Sequence, residues 1–240
     1  FRAPHHTVSV QALTGGGRRP KPGEISLATG GILFLDELPE FSRAALETLR
    51  QPLEDREVTV SRVEATVTYP ANFQLVAAMN PCPCGHFPDL ARCRCTEGQI
   101  TRYLQKISGP LLDRIDLCVE ASPVTYGDIR GGGENEASGA IRARVEQARE
   151  IQKERFMEEN IRCNGEMAGR HIRKYCVLGK EEETFMEEIF EKLALSARMH
   201  DRILKVARTT ADLAGASEIR LSDLCEAVSY VKSREKFWGN

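Results

Sequence analysis

Residues 30–41 read "GGILFLDELPEF". Four apolar residues, Ile32 to Leu35, run straight into Asp36 and Glu37. This is the pattern of a buried parallel strand that delivers two acids to its carboxyl end. Acids at such a place serve a metal ion, a phosphate or a water. A second apolar run, residues 73–79, ends at Asn80. In a parallel sheet the two carboxyl ends share one edge, where ligands bind, so Asn80 is expected beside Asp36.

The surrounding sequence fits an α/β layer. Residues 24–29 read as a helix end closed by Gly30 and Gly31. Ser42 is placed to cap a helix in which Leu46, Leu49 and Leu53 share a face. Residues 57–61 and 65–69 alternate with β-branched side chains, which predicts a hairpin. After Asn80 come a cysteine-rich loop and a helix near residues 96–107. The stretch "SGPLLDRIDLCVE" then predicts a short helix and a strand over residues 115–119. Residues 122–138, "SPVTYGDIRGGGENEAS", have the Gly, Ser and charge content of a linker. Everything beyond reads as helix: Ile141, Val145, Ala148 and Ile151 form one apolar stripe, Phe185, Ile189 and Leu193 a second, and Ile203, Val206 and Leu213 part of a third. The expected organisation is a partial α/β core over 1–121, a linker over 122–138 and an all-α subdomain over 139–240. There is no internal repeat.

Composition narrows the functional classes. The chain has 240 residues, 41% hydrophobic and 28% charged, with a formal net charge of -2. That is an ordinary soluble balance, and any contact with nucleic acid has to come from local basic patches. No apolar run approaches the roughly 18 residues that span a membrane, and the opening residues do not read as a secretory leader, so none is expected. A chain beginning at Phe1 in a motif-like stretch reads as a piece of a longer protein. Four of the eight cysteines cluster, as expected for a metal site in a reducing compartment.

A strand ending in Asp-Glu is a weak signal alone; it is also how a strand runs into an acidic turn. Nucleotide hydrolysis adds requirements: a Mg²⁺ held at a strand end, a group that activates water, and cations that neutralise phosphate. Asp36 fits the metal role through water, and Glu37 the water-activating role. The Asn80 amide fits an orienter of the water or a terminal phosphate, or else Asn80 simply starts the turn before Pro81. Arg114, in "LLDRIDL", either reaches a phosphate of a neighbouring subunit or pairs with Asp113 or Asp116. Arg198 opens a helix of the second half and is either a nucleotide-sensing arginine or a solvated charge, with Arg202 and Arg208 competing for the role.

"CPCGHFPDLARCRC" offers Cys82, Cys84, Cys93 and Cys95, which can complete a tetrahedral zinc shell. His86 is a substitute ligand, and a loop of reduced thiols is the alternative. Arg18, Arg19 and Lys21 sit beside three glycines in a small basic loop, and Arg56 and Arg62 flank the first strand of the predicted hairpin. Such loops either carry solvated charge or contact nucleic-acid phosphates in a pore.

Taken together, "FRAPHHT", "GEISLATGGILFLDELPEF", "AAMNPCPCG", "SGPLLDRIDL" and "LSARMHDRILKVARTTADL" resemble the magnesium-chelatase-like AAA+ ATPases of the YifB/ComM type. The resemblance covers essentially the whole chain. It implies a P-loop-type parallel sheet with a helical lid, in a cytoplasmic, ring-forming, hexameric ATPase that uses ATP and Mg²⁺ and acts on DNA. The ComM branch implies branch migration during DNA uptake in natural transformation. By the same resemblance Asp36 and Glu37 look like the Walker B pair, Asn80 like sensor 1, Arg114 like the arginine finger and Arg198 like sensor 2. The hairpin over residues 57–69 looks like the pre-sensor-1 insertion, and residues 8–21 like the helix-2 insertion. The family's phosphate loop, G-x-x-x-x-G-K-[ST], does not occur in these 240 residues and is expected upstream. The isolated chain is therefore expected to bind ATP weakly or not at all. A metal-chelatase ATPase subunit is the alternative reading, and a non-enzymatic, zinc-stabilised fragment a third.

Overall fold

The computed structural model describes residues 1–61, 65–122, 124, 126–130 and 136–238. They divide into two units, Phe1–Ile115 and Asp116–Asn240.

In the first unit the Ser9 hydroxyl caps α1 (Val10–Thr14) by accepting from the Ala12 N–H at 3.1 Å. A small antiparallel hairpin follows, β1 (Gly15–Gly16) with β2 (Lys21–Pro22). A Cβ on Gly15, whose φ is +100°, would lie 2.3 Å from the Lys21 carbonyl oxygen, so only glycine closes this hairpin. Next come α2 (Glu24–Leu27), β3 (Ile32–Leu35) and a 3-10 turn, Leu38–Glu40. Ser42 caps α3 (Arg43–Glu47), accepting from Ala45 N–H at 3.2 Å, and α4 (Arg50–Asp55) follows. β4 (Glu57–Ser61) and β5 (Thr66–Pro70) form the expected hairpin, whose exposed face carries hydroxyl pairs Thr59–Thr68 at 3.0 Å and Ser61–Thr66 at 2.9 Å. β6 (Gln74–Ala77) precedes the cysteine-rich loop. Thr96 and Gln99 make a reciprocal capping box at α5 (Glu97–Leu104), and Ser108 caps α6 (Gly109–Leu112).

β3 and β6 are parallel, in register from Ile32↔Gln74 to Leu35↔Ala77, and Arg2 makes a parallel bridge to Leu33 on the other side of β3. The unit is thus mixed α/β with a parallel sheet. Three details differ from the sequence expectation. The helix expected to carry Leu46, Leu49 and Leu53 on one face is broken at Thr48–Leu49 into α3 and α4. β3 is buried on one face only: Leu33 and Leu35 are inaccessible, Ile32 and Phe34 are half-buried, and Val76 on β6 is exposed. A run of apolar residues reports hydrophobicity and not which face is covered. Residues 115–119 form no strand, and Leu117 and Val119 are exposed. β-branched content does not hold a strand that has no neighbour to pair with.

The second unit is helical: α7 (Tyr126–Arg130), α8 (Ser138–Arg155), a 3-10 turn Asn164–Glu166, α9 (Gly169–Tyr175), α10 (Lys180–Lys192), α11 (Ala197–Leu213) and α12 (Leu221–Trp238). α7 lies among the residues read as linker. Its core centres on α11, whose Ile203, Leu204 and Ala207 pack with Leu224, Ala227 and Val228 of α12 and Met186 and Ile189 of α10. Phe185, Leu193 and Val206 pack against this cluster as the stripes predict, whereas Leu213 is exposed. The α8 stripe is buried only in its second half: Ala148 is inside, while Ile141 and Val145 are exposed because the helix runs beyond the core. No helix among the described residues is long and apolar enough to cross a membrane.

Candidate functional site

The register of β3 and β6 decides where the site lies. Paired parallel strands leave the sheet at the same end, so Asp36 and Glu37 emerge beside the segment that leads to Asn80. Two backbone bonds lock these exits together: Ala78 N–H donates to Leu35 O at 2.9 Å, and Leu38 N–H donates to Ala78 O at 3.0 Å. Asp36, Glu37 and Asn80 are all exposed there.

Glu37 has a left-handed backbone, φ 53° and ψ 47°. For a residue with a Cβ this conformation costs about 1–2 kcal/mol, and strain of this kind concentrates at functional positions. It is held by the Asp36 Oδ1, which accepts from the Glu37 N–H at 2.8 Å, and by the 3-10 turn that follows. The Glu37 side chain, 57% exposed, meets His6 Nδ1 at 3.0 Å. His6 lies between His5, whose tilted ring is centred 4.0 Å away, and the edge of Phe41 at 6.4 Å. Its placement follows from the Arg2 bridge to β3, which aims residues 2–6 toward the same end of the sheet. Arg2 is itself pinned by Glu24, at 2.6 and 2.7 Å.

Behind Asn80 stands Tyr103 of α5, nearly buried. Burial, then the negative charges of Glu40, Cys82 and Glu37, push its phenol above the usual range, partly offset by a hydrogen bond with the Asn80 backbone. The sequence reading missed both Tyr103 and His6. The paired histidines before the first helix were the available signal for His6; nothing in the local pattern near residues 96–107 singled out Tyr103.

Arg114 is turned toward its own unit. Its Nη1 donates to Pro110 O at 2.7 Å, and its Nη2 pairs with Glu54 on α4. Neither Asp113 nor Asp116 is that partner; Asp116 instead meets Arg202 at 3.0 Å. Arg198 is exposed near the start of α11 in the second unit. Its competitor Arg208 is buried and held by Asp212, Ser217 O and Ala216 O, so it is a packing element of that unit. Arg18 and Arg19 lie exposed in the turn between β1 and β2, and Lys21 is exposed on β2. The Tyr69 hydroxyl donates to Pro20 O at 2.8 Å and ties this basic turn to the β4–β5 hairpin. Arg62 lies outside the described residues.

The four clustered cysteines converge, with their sulfurs all within 4.8 Å of one another. Cys82–Cys84 is 3.4 Å, Cys84–Cys93 3.6 Å and Cys82–Cys93 3.8 Å, too long for a disulfide. Backbone hydrogen bonds at His86 and Arg94 hold Cys84 down to about 6. Burial, followed by the Cys84 thiol, pushes Cys95 up to about 12.

Comparison with known proteins adds the lineage. Residues 1–129 match the family model for magnesium chelatase, subunit ChlI, and residues 135–231 the model for its C-terminal part. Competence protein ComM of Haemophilus influenzae is 49% identical over 231 residues, 96% of this chain and 44% of that protein. YifB of Salmonella typhimurium is 48% identical and YifB of Escherichia coli 46%, each over 96% of this chain and 45% of theirs. The chain thus spans about half the length of the curated relatives it matches. With both family models matched in order and these identities over nearly its whole length, the chain belongs to the magnesium-chelatase-like family of the ComM and YifB type, a family of AAA+-type ATPases.

Proposed function

We propose that this chain is the Walker B, sensor and lid portion of an ATP-driven motor that acts on DNA as a cytoplasmic ring, a hexamer by analogy with its class. The observation that carries the reading is the meeting of Asp36, Glu37 and Asn80 at one end of a parallel strand pair. Asp36 has the donor for a hard cation: an exposed carboxylate with one oxygen occupied by the Glu37 N–H. It would hold Mg²⁺ through water, and the ion when bound neutralises charge on the ATP phosphates. Glu37 takes the proton from the attacking water, with His6 orienting its carboxylate. The Asn80 amide directs the water. Arg114 and Arg198 supply cationic charge to the phosphates, and Arg114 must exchange Glu54 for phosphate to do so. Zinc is the ion for the four cysteines.

DNA enters through Arg18, Arg19 and Lys21 on the exposed turn, together with Arg62, and is supported by the name of one relative, a competence protein. Charge reversal at Arg18 and Arg19 in the full-length protein is expected to weaken DNA binding and flatten its salt dependence; unchanged binding removes the DNA role of this turn. ATP hydrolysis by the full-length protein tests the core of the reading. Asp36→Asn abolishes it, and a variant that retains the parent rate rules the assignment out. The isolated chain has no Gly-Lys-Ser/Thr loop, so calorimetry is expected to find weak or no ATP binding, and tight binding would contradict this.

The family model itself carries the name magnesium chelatase, which keeps a second reading, the ATPase subunit of a metal-insertion complex. ATPase activity stimulated by DNA favours the motor. Stimulation only by porphyrin-metallating partner subunits favours the chelatase.

A further inference from the structure

We infer that the four thiolates form a zinc site whose function is to fix the position of Asn80. The sulfur geometry comes first. Zinc bonds thiolate at about 2.3 Å in a tetrahedron, which places neighbouring sulfurs about 3.8 Å apart. The three sulfur pairs at 3.4, 3.6 and 3.8 Å approach that edge length, and the fourth sulfur lies within 4.8 Å of the others. A multi-iron cluster spreads its ligand sulfurs further than this, so the site fits one soft tetrahedral cation.

The second observation is independent of the sulfur spacing. A backbone N–H is aimed at one of the sulfurs: Phe87 N–H donates to Cys82 Sγ at 3.4 Å. Such a donor stabilises thiolate and orients it, as the outer partners of metal-bound cysteines do. Cys82 is fully buried, so it enters the shell from inside the fold, while Cys84 is exposed.

The link to Asn80 is short. Cys82 follows it by two residues, and Gly85 N–H closes a turn on Cys82 O at 3.0 Å. Gly85, at φ +78°, is so near that a Cβ there would lie 3.7 Å from the Asn80 amide. Asn80 is therefore wrapped by the turn that carries Cys82 and Cys84. An ion that ties these two to Cys93 and Cys95 closes the loop around it. The importance of Asn80 rests on the proposed ATPase reading; the metal site and its grip on Asn80 do not.

The test uses the full-length protein, purified without a polyhistidine tag. Metal analysis is expected to find about one zinc per chain. Cys84→Ser and Cys95→Ser each lose most of it, while Cys225→Ser, exposed and outside the cluster, retains it. Amide exchange in residues 78–87 rises severalfold when zinc is chelated and returns when Zn²⁺ alone is added back, with α11 and α12 unchanged. Zinc well below one per chain even after reloading overturns the site. Full zinc occupancy with unchanged exchange at residues 78–87 on chelation overturns the hold on Asn80. Neither readout involves ATP, so a failure of the ATPase reading would be seen separately.

Discussion

Asp36 with Glu37 in the first unit and Asp212 in the second show opposite ways to place a carboxylate. Asp212 on α11 has no solvent exposure, and its partners are complete. Arg155 reaches both of its oxygens, Arg208 Nε lies at 3.1 Å, and Asn164 Nδ2 at 2.7 Å. Asn164 also accepts from Arg155 at 2.9 Å and is held by Gln152 Oε1 at 3.0 Å. Every donor there is committed to the fold. Asp36 and Glu37 are exposed, one of them strained, and their neighbours leave carboxylate oxygens facing solvent. A carboxylate that serves the fold is saturated by protein groups; one that serves a ligand keeps capacity for it.

The largest expected effect attacks the saturated side. Asp212→Ala leaves two arginines buried without their shared anion and should destabilise the helical unit by about 3–5 kcal/mol. Denaturant unfolding followed by exchange on α11 and α12 checks it, and a loss under 1 kcal/mol would break the contrast. On the other side the sign reverses. Glu37→Gly removes left-handed strain and is expected to stabilise the first unit by about 1 kcal/mol while ending hydrolysis. A destabilised variant would mean that Glu37 serves packing.

Smaller effects sharpen the same comparison. Tyr69→Phe deletes the bond to Pro20 that anchors the basic turn, a loss of about 0.5–1.5 kcal/mol, read as faster exchange at residues 16–21 with α11 unaffected. Acid should act on both units through paired carboxylates. The Arg2 hydrogen bond holds Glu24 below its usual 4.5. Burial pushes Asp223 up, but Arg220 hydrogen bonds and the Arg220 and Arg208 charges pull it further down, below 3.8. Because both folded values are depressed, their stabilisation is complete above the unfolded values and is lost as pH falls through the folded ones. The stability difference between parent and Asp223→Asn is therefore constant above about pH 5 and shrinks toward zero in strong acid.

Much of this was legible in sequence. The run Ile32 to Leu35 ending in two acids gave the strand and the sheet end at which Asp36 and Glu37 leave it, and its length was a local fact. Ser42 as a cap, the β4–β5 hairpin and the helical second half were equally local. What stayed hidden was long-range. Arg114 chooses Glu54, sixty positions away, over the adjacent Asp113 or Asp116, because helix packing and not sequence distance brings charges together. The Asp212 network joins α8, the Asn164 turn and α11, and no single periodicity contains it. The left-handed backbone of Glu37 was invisible because non-glycine residues adopt it only when their surroundings impose it. The exposed Ile141 and Val145 show the converse limit: an apolar stripe does not say where its cover ends.

The central claim is that Glu37 activates water at a site that Asp36 and Asn80 complete. Single-turnover ATP hydrolysis by the full-length protein carrying Glu37→Gln, with nucleotide affinity measured in parallel, tests it most directly. The account predicts a rate lowered by about 10²–10⁴-fold at unchanged affinity. Hydrolysis at the parent rate, or a loss that merely follows weakened binding, would contradict it.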